Sequence, residues 1–304
     1  MASDLQIWYK YAEARLTAAA PELVEMDCNI GVKGEGFEYI FGRGKGLVSI
    51  RYNGVQLLDD TVRPNFWRAP TNNDEGCAEP FAFAFWKTAG LYARCDHLTA
   101  ETRGEFVTVR AVYTLPDGQT LPIDFAIDGA GRCDITMTWQ GEHTELPEFG
   151  LLFPLRRELT EVSYLGLGPR ETTADRTAGG KMGVWNYNVR QDFAQYTPVY
   201  PQECGSRTGV YRAALTGRDT EMSGIGFAGD GMTFSALPYT PHELENARHL
   251  YELPRDDNKT VVRCAAFQRG VGGDNSWGAK PHADACFAVE KGMTFSFSIQ
   301  KQNG

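Results

Sequence analysis

The sequence predicts an all-β fold, a large antiparallel sandwich with one short helix. Apolar and polar residues alternate along many short segments, turn signals separate these segments, and no repeating strand–helix units occur. The 304 residues include 33 glycines and 15 prolines, as expected for short strands joined by tight turns. We expect an N-terminal extension, or a remnant of a preceding domain, over residues 1–24 and a single sandwich domain over residues 25–304.

The first clear strands lie between residues 37 and 54. Phe37, Tyr39 and Phe41 occupy alternate positions, which places all three on one face of a strand. A second strand through 47–50 leads to Asn53-Gly54. This dipeptide favours a type I′ hairpin turn, because both of its central residues must accept positive φ.

The strongest strand pattern is a meander of three segments, 106–113, 121–127 and 133–139. Turn signals separate them, Pro116-Asp117-Gly118 first and Gly129-Ala130-Gly131 second. The same alternation returns at 294–299 near the end of the chain. The one predicted helix spans 241–250, with Thr240 as its N-cap and a proline in its first turn.

Composition excludes several classes of protein. The net charge is −9 and no Lys/Arg-rich run occurs, so nucleic acid is not an expected partner. No apolar stretch is long enough for a membrane span, and the N-terminus lacks the pattern of a signal peptide. The seven cysteines form no Cys-x-x-Cys pair, which predicts reduced, mostly buried thiols in a cytoplasmic protein; a disulfide framework is the minor alternative.

Familiar catalytic signatures are missing: there is no G-x-S-x-G, no phosphate-binding G-x-x-x-x-G-K and no H-E-x-x-H. A glycosidase needs two carboxyl groups about 5 to 10 Å apart in one pocket. Glu145 and Glu148 are close in sequence, but we interpret them as part of a solvated loop. His242 and His249 could share a helical face, where a surface or capping role is favoured over a metal site. We therefore assign no catalytic residue and no metal ligand to this chain.

Three irregular segments combine aromatic, Gly/Pro and polar residues: RPNFWRAPTNNDEG at 63–76, YLGLGPRE at 164–171 continuing to Asp175-Arg176, and GVGGDNSW at 270–277. Composition alone favours a structural role, since Asn, Asp and Gly end strands and Trp fills cores. The third segment is more suggestive, because Trp277 follows a run of loop-forming residues. An indole on a loop can pack against the apolar face of a sugar, and neighbouring Asp and Asn side chains can bond hydroxyls or hold the loop.

Taken together and in this order, the segments resemble the C-terminal domain of bacterial β-galactosidases of glycoside hydrolase family 2, which also occurs as a separate small chain. They are similar to that family's FWRAPTDND-G, LGLGP-E…DR and GGDDSW motifs. Shorter matches at 85–90, 196–198 and 242–250 keep the order, and the resemblance runs from about residue 28 to near the C-terminus. Asn72 and Asn275 stand where the family often has Asp, which leaves the substrate preference open.

The resemblance implies a galactose-mutarotase-like supersandwich that completes the galactoside site of an oligomeric enzyme. The catalytic glutamates would lie on a separate (β/α)₈ barrel, in the same or another chain. It implies no cofactor in this chain, with Mg²⁺ and Na⁺ possible in the whole enzyme. The residues implied to contact sugar are Trp277, Asp274, Asn275 and Ser276. Those implied to form an active-site loop are Asn73, Asp74 and Gly76.

Three alternatives stay open. A stand-alone mutarotase-like enzyme would need a His and a carboxylate poised at a sugar ring, and none of the five histidines falls in the three segments. A carbohydrate-binding module without a catalytic partner is the second alternative. A structural domain that caps a barrel and builds an oligomer interface is the third.

Overall fold

The computed structural model describes residues 18–196, 200–217, 223–275 and 277–302. The strands of this part are β1 Glu22–Glu25, β2 Asn29–Gly34, β3 Phe37–Gly42, β4 Gly46–Tyr52, β5 Val55–Gln56, β6 Arg63–Asn65, β7 Arg94–Arg103, β8 Phe106–Thr114, β9 Thr120–Asp128, β10 Cys133–Thr138, β11 Thr144–Glu145, β12 Glu148–Arg156, β13 Leu159–Gly168, β14 Lys181–Asn188, β15 Arg207–Gly217, β16 Gly224–Leu237, β17 Lys259–Gln268, β18 Ala288–Val289 and β19 Thr294–Gln302. The helices are α1 Asn72–Gly76, α2 Glu79–Ala82, α3 Ala84–Ala89, α4 Val189–Phe193 and α5 Pro241–Asn246, with 3₁₀ turns at Leu250–Glu252 and Ala283–Ala285.

The described strands form two main sheets. The smaller has five strands in the order β1-β2-β3-β4-β5. The larger has twelve, with the path β14-β13-β15-β16-β19-β10-β9-β8-β7 and a branch through β17, β12 and β6. The pairings are antiparallel throughout, which confirms the predicted all-β antiparallel fold.

The long strand β16 turns the large sheet into a sandwich, because it changes partners along its length. Its first half pairs with β19 and its second half with β17. Gly231 lies between the halves with φ +68°, a backbone angle that favours glycine. Phe153 on β12 then packs against Phe227 of β16 and Phe297 of β19, at ring-centroid distances of 5.4 and 6.1 Å. The branch strands β17, β12 and β6 therefore pack over the strands of the main path, and a core of apolar side chains lies between the two layers.

The five-stranded sheet packs on the meander β8-β9-β10 through its apolar face. Phe37, Tyr39 and Phe41 are buried, as their alternation predicts. The Phe41 ring lies 4.9 Å from that of Phe125 on β9, and the Tyr39 hydroxyl donates a 2.7 Å hydrogen bond to the carbonyl of Gly131. Burial of each such ring stabilises the fold by roughly 1.5–3 kcal/mol.

The predicted turns are confirmed. Asn53 and Gly54 have φ of 50° and 79°, and they connect β4 to β5 so that Tyr52 faces Val55. At the first meander turn, Gly118 has φ 86° and its N–H donates to the carbonyl of Leu115. These turns form where the sequence predicts them because their conformation depends on local residue type.

The prediction of a single helix is wrong: the described residues contain five short ones. The predicted one forms as α5, and Thr240 and Glu243 complete a capping box at its start. It ends at Asn246 instead of reaching residue 250, because Ala247 is extended and the Glu252 carboxylate accepts from the next two backbone N–H groups. Helix α1 also begins with a capping box, formed by Thr71 and Asp74. The sequence did not predict this helix, because the Asn and Gly residues around the box are typical of a loop.

The seven cysteines are free, and Cys95, Cys133, Cys204 and Cys264 are buried, which agrees with the prediction of reduced thiols. Within the described ranges no helix has the length and apolar character to cross a membrane. Most of the predicted extension, residues 1–17, lies outside the described residues. Strand β1 spans the expected boundary at residue 24 and pairs with β2, and the division into extension and domain stays a prediction.

Candidate functional site

The three irregular segments of the sequence meet at one place on the surface. The hydroxyl of Thr71, in the first segment, donates to the carbonyl of Val271 in the third at 3.2 Å. The Asp175 carboxylate, in the second, accepts from the backbone N–H groups of Val271 and Gly272, both at 2.8 Å. These contacts join positions 96 to 200 residues apart in the chain. We call the place where the segments meet the motif junction.

Arg68 lies at the centre of the motif junction and is almost completely buried. Its guanidinium donates to the Asp74 carboxylate at 2.6 and 3.1 Å, and to the carbonyls of Arg269 and Gly270 at 3.1 and 2.6 Å. Burial alone raises the pKa of Asp74, but the Arg68 cation and the hydrogen bonds from Thr71 lower it below its usual value. Asp74, expected at an active-site loop, is therefore the buried counterion of Arg68. Through Arg68 it is linked to the backbone of the third segment at Gly270.

Helix α1 carries the other two residues expected in that loop. Asn73 donates to the carbonyl of Ala279 at 2.7 Å and accepts from the N–H of Gly278 at 3.2 Å. Gly76 packs against the backbone of Gly278, where a Cβ atom would come within 3.0 Å. Both residues brace the segment that follows Trp277.

The third segment presents Trp277 to solvent. Its side chain is 88% exposed, while its N–H donates to the Asn275 side chain at 2.9 Å. Asp274 lies 2.7 Å from the ring of His282, and this hydrogen bond raises the pKa of His282. Ser276 lies outside the described residues. The structure thus exposes the indole of Trp277 on a loop that hydrogen bonds hold on both sides of this residue, from Asp175 before it and from Asn73 after it.

Further exposed apolar side chains border the motif junction. Phe81 on α2, a few residues after α1, is 85% exposed. Tyr251 is 81% exposed and stacks on His249, and the nearby Arg248 lies 3.7 Å from the Glu75 carboxylate of α1. Two further large apolar side chains are therefore exposed on segments that adjoin α1.

Glu148 and Glu203 form a buried acidic pair around Arg263, which the sequence did not predict. Glu148, interpreted as part of a solvated loop, is only 1% exposed, whereas Glu145 is exposed. The Arg263 guanidinium donates to both Glu148 and Glu203. Burial raises the pKa of Glu148 to about 7, and the nearby charge of Glu203 adds to the rise although Arg263 opposes it.

Amide side chains also donate hydrogen bonds to this acidic pair. Asn65 donates to one oxygen of Glu148, and Gln268 donates to both glutamates. Both carboxylates are buried and held by these hydrogen bonds and by Arg263, which is the arrangement of a structural ion-pair network. The burial of Glu148 could not be read from the sequence, because its partners are 83 to 120 residues away.

The two histidines singled out in the sequence have separate contacts. His242 lies 2.6 Å from the carbonyl of Lys87, and His249 stacks on Tyr251. In the ranges that the structure describes, no three His, Cys, Asp or Glu side chains are grouped as a metal site requires.

Fold and site together define a large antiparallel β-sandwich with a loop-borne indole on its surface. The particular family follows from comparison with known proteins: the model of the family "Beta galactosidase small chain" matches residues 33–299, and the chain belongs to this family. It is 37% identical to a β-galactosidase of Lactobacillus delbrueckii subsp. bulgaricus, over 92% of this chain and 28% of that protein. It is 32% identical to a β-galactosidase small subunit of Latilactobacillus sakei, over 90% of this chain and 95% of that one.

The chain thus spans less than a third of the first relative and almost the full length of the second. Among solved structures, it superposes on a galactose 1-epimerase from Lactobacillus acidophilus NCFM with a TM-score of 0.47 and 8% identity, covering 94% of this chain and 98% of that one.

Proposed function

We propose that this chain is the non-catalytic, sugar-contacting part of a β-galactosidase of glycoside hydrolase family 2. Its partner is a (β/α)₈ barrel, in the same or a separate chain, which carries the two catalytic glutamates. Membership of the small-chain family and the names of its relatives support this proposal. The single observation that carries it is the motif junction, which braces Trp277 while leaving 88% of its side chain exposed.

In the proposed reaction, the barrel uses one carboxylate as nucleophile and one carboxylic acid as proton donor, through a glycosyl-enzyme intermediate. Trp277 packs against the apolar face of the galactosyl ring, and Asp274, whose side chain is 81% exposed, accepts from sugar hydroxyls. Asn275 sets the backbone at Trp277.

Asn73, Asp74 and Gly76 act as positioning residues in this proposal. They hold the loop through Ala279, Arg68 and Gly278, and do not touch the sugar themselves. Such positioning matters for rate, because misplacement of a reacting group by about 1 Å can cost on the order of a hundredfold.

The decisive experiment measures hydrolysis of a chromogenic β-galactoside by the chain alone and by the chain mixed with its barrel-containing partner. We expect no activity alone and activity on mixing. In the mixture, Trp277→Ala should raise KM about tenfold, since it removes a sugar contact, whereas the control Tyr92→Ala removes an exposed aromatic ring outside the three segments and should not. Unchanged kinetics for Trp277→Ala would remove the basis for the sugar contact, and activity of the chain alone would reveal a catalytic pair within it.

One observation favours a second function, a mutarotase-like sugar epimerase. The sequence places no histidine in the three segments, but the fold brings His282 to within 2.7 Å of Asp274, three residues before Trp277. A His–carboxylate pair beside a sugar platform can act as acid and base. Polarimetry of freshly dissolved α-D-galactose distinguishes the two functions, since only an epimerase accelerates mutarotation without a barrel partner and loses this activity in His282→Gln.

A further inference from the structure

A cavity lies between β6, α3 and the first turn of α5. No residue of the segment 270–279 that carries Trp277, which we call the Trp277 loop, lines it. Its volume is about 200 Å³. Trp67, Trp86 and Leu152 form its apolar side. The Trp86 ring packs 5.5 Å from Phe66 and 5.9 Å from Trp139, so the wall is part of the rigid core.

The rim of this cavity is polar and carries no excess of positive charge, since Asp59 lines it in addition to three ion pairs. Three cations on the rim are each paired with a carboxylate at 2.6 to 2.8 Å: Arg63 with Asp60, Lys87 with Glu245, and Lys259 with Glu243. An anionic ligand therefore finds no surplus of positive charge. A neutral ligand finds both donors and acceptors, held in place by their partners.

Size and surface chemistry restrict the ligand further. Sites for drug-sized molecules have volumes of about 300–1,000 Å³ and combine apolar walls with a few polar groups. At about 200 Å³, this cavity has the same chemistry and room for a single ring. A sugar ring matches it, since one face exposes C–H groups and the edge carries hydroxyls.

We propose that this cavity binds the ring of a neutral monosaccharide, with the apolar face of the sugar toward Trp67 and Trp86 and its hydroxyls toward Lys87 and Lys259. The site is separate from the Trp277 loop and does not depend on the proposed galactosidase function. Trp67 also provides a reporter: its indole N–H donates to Glu245 at 2.9 Å, and the same carboxylate holds Lys87 at 2.8 Å. A sugar that engages Lys87 changes this shared hydrogen bond.

The test follows the indole N–H resonances of the ¹⁵N-labelled chain by NMR, in a Trp277→Ala background that removes the exposed loop indole. The Trp67 signal is assigned through Trp67→Phe. Titration with D-galactose or D-glucose should move it saturably with a Kd of about 1–10 mM. Inorganic phosphate, the anionic probe, should not move it.

A matched pair of variants locates the binding. Leu91 lines the mouth of the cavity and is 42% exposed, whereas the adjacent Tyr92 is 68% exposed and does not line it. Leu91→Arg should weaken sugar binding at least tenfold, and Tyr92→Arg should leave it unchanged, while both keep the Tm of the parent. The proposal is overturned if neither sugar produces a saturable shift, if both variants weaken binding equally, if phosphate binds in place of sugar, or if the shift occurs only on adding the barrel-containing partner.

Discussion

Gly76 and Gly278 meet backbone to backbone: a Cβ atom on Gly278 would lie 2.3 Å from the carbonyl carbon of Gly76. Gly278 also has φ +92°, in the region that side chains disfavour. This contact joins the end of α1 to the residue directly after Trp277. The helix and the exposed indole therefore belong to one structural unit.

Gly278→Ala should separate the two glycines and lower the free energy of unfolding by about 1–3 kcal/mol, because the new methyl group meets backbone and the φ angle is strained. Chemical denaturation measures this loss. Gly272→Ala is the matched control in the same segment, since its Cβ would meet open space and its φ is not positive. Equal stability of the two variants would contradict the role assigned to the glycine contact.

Asp74→Asn should destabilise the chain by about 3–5 kcal/mol, since it leaves the Arg68 guanidinium buried without its counterion. Urea unfolding at neutral pH measures the effect. Glu75→Gln, at the neighbouring and solvent-exposed position, should change the free energy of unfolding by less than about 0.5 kcal/mol. If Asp74→Asn lowers the free energy of unfolding as little as Glu75→Gln does, the two backbone carbonyls alone are sufficient partners for the buried Arg68 guanidinium.

The raised pKa of Glu148 makes stability depend on pH in a defined direction. Between the ordinary value of 4.5 and about 7, the folded chain holds a proton on Glu148 that the unfolded chain releases. The stabilising contribution is thus full below pH 4.5 and is lost as the pH rises through 7, with a total of about 3 kcal/mol. Glu148→Gln should flatten this part of the stability curve, measured by denaturation from pH 4.5 to 8.

The control for this measurement is Glu145→Gln, which removes an exposed carboxylate three residues away. Its curve should keep the slope of the parent. If Glu148→Gln also keeps that slope, the group that titrates in this range is a different one.

Asp175→Ala should loosen the Trp277 loop, because it removes the acceptor for the N–H groups of Val271 and Gly272. In the mixture with the barrel partner we expect KM for the β-galactoside to rise three- to tenfold with a smaller change in kcat, as for a residue that positions a sugar contact. Asp117→Ala removes a similar acceptor, for the N–H of Gln119, at a turn outside the motif junction. If Asp175→Ala leaves KM as unchanged as Asp117→Ala does, the loop keeps its position without Asp175.

The sequence predicts those features whose cause lies within a few residues. Alternation in the meander sets which side chains of β8, β9 and β10 are buried, and Asn53-Gly54 selects its turn by the φ angles it accepts. The start of α5 follows likewise from Thr240 and Glu243, which cap it locally. Its end could not be predicted, since that depends on the later Glu252 carboxylate.

Tertiary structure alone decides what the candidate site is made of. The sequence singles out the three segments and Trp277, but only the pairing of distant strands brings Arg68 to the carbonyl of Gly270, 202 residues away. The same applies to Glu148, whose buried carboxylate accepts a hydrogen bond from Arg263 of another strand, 115 residues away. Local patterns determine which residues form strands and turns, whereas the desolvation and pairing of charges depend on neighbours that the chain acquires only on folding.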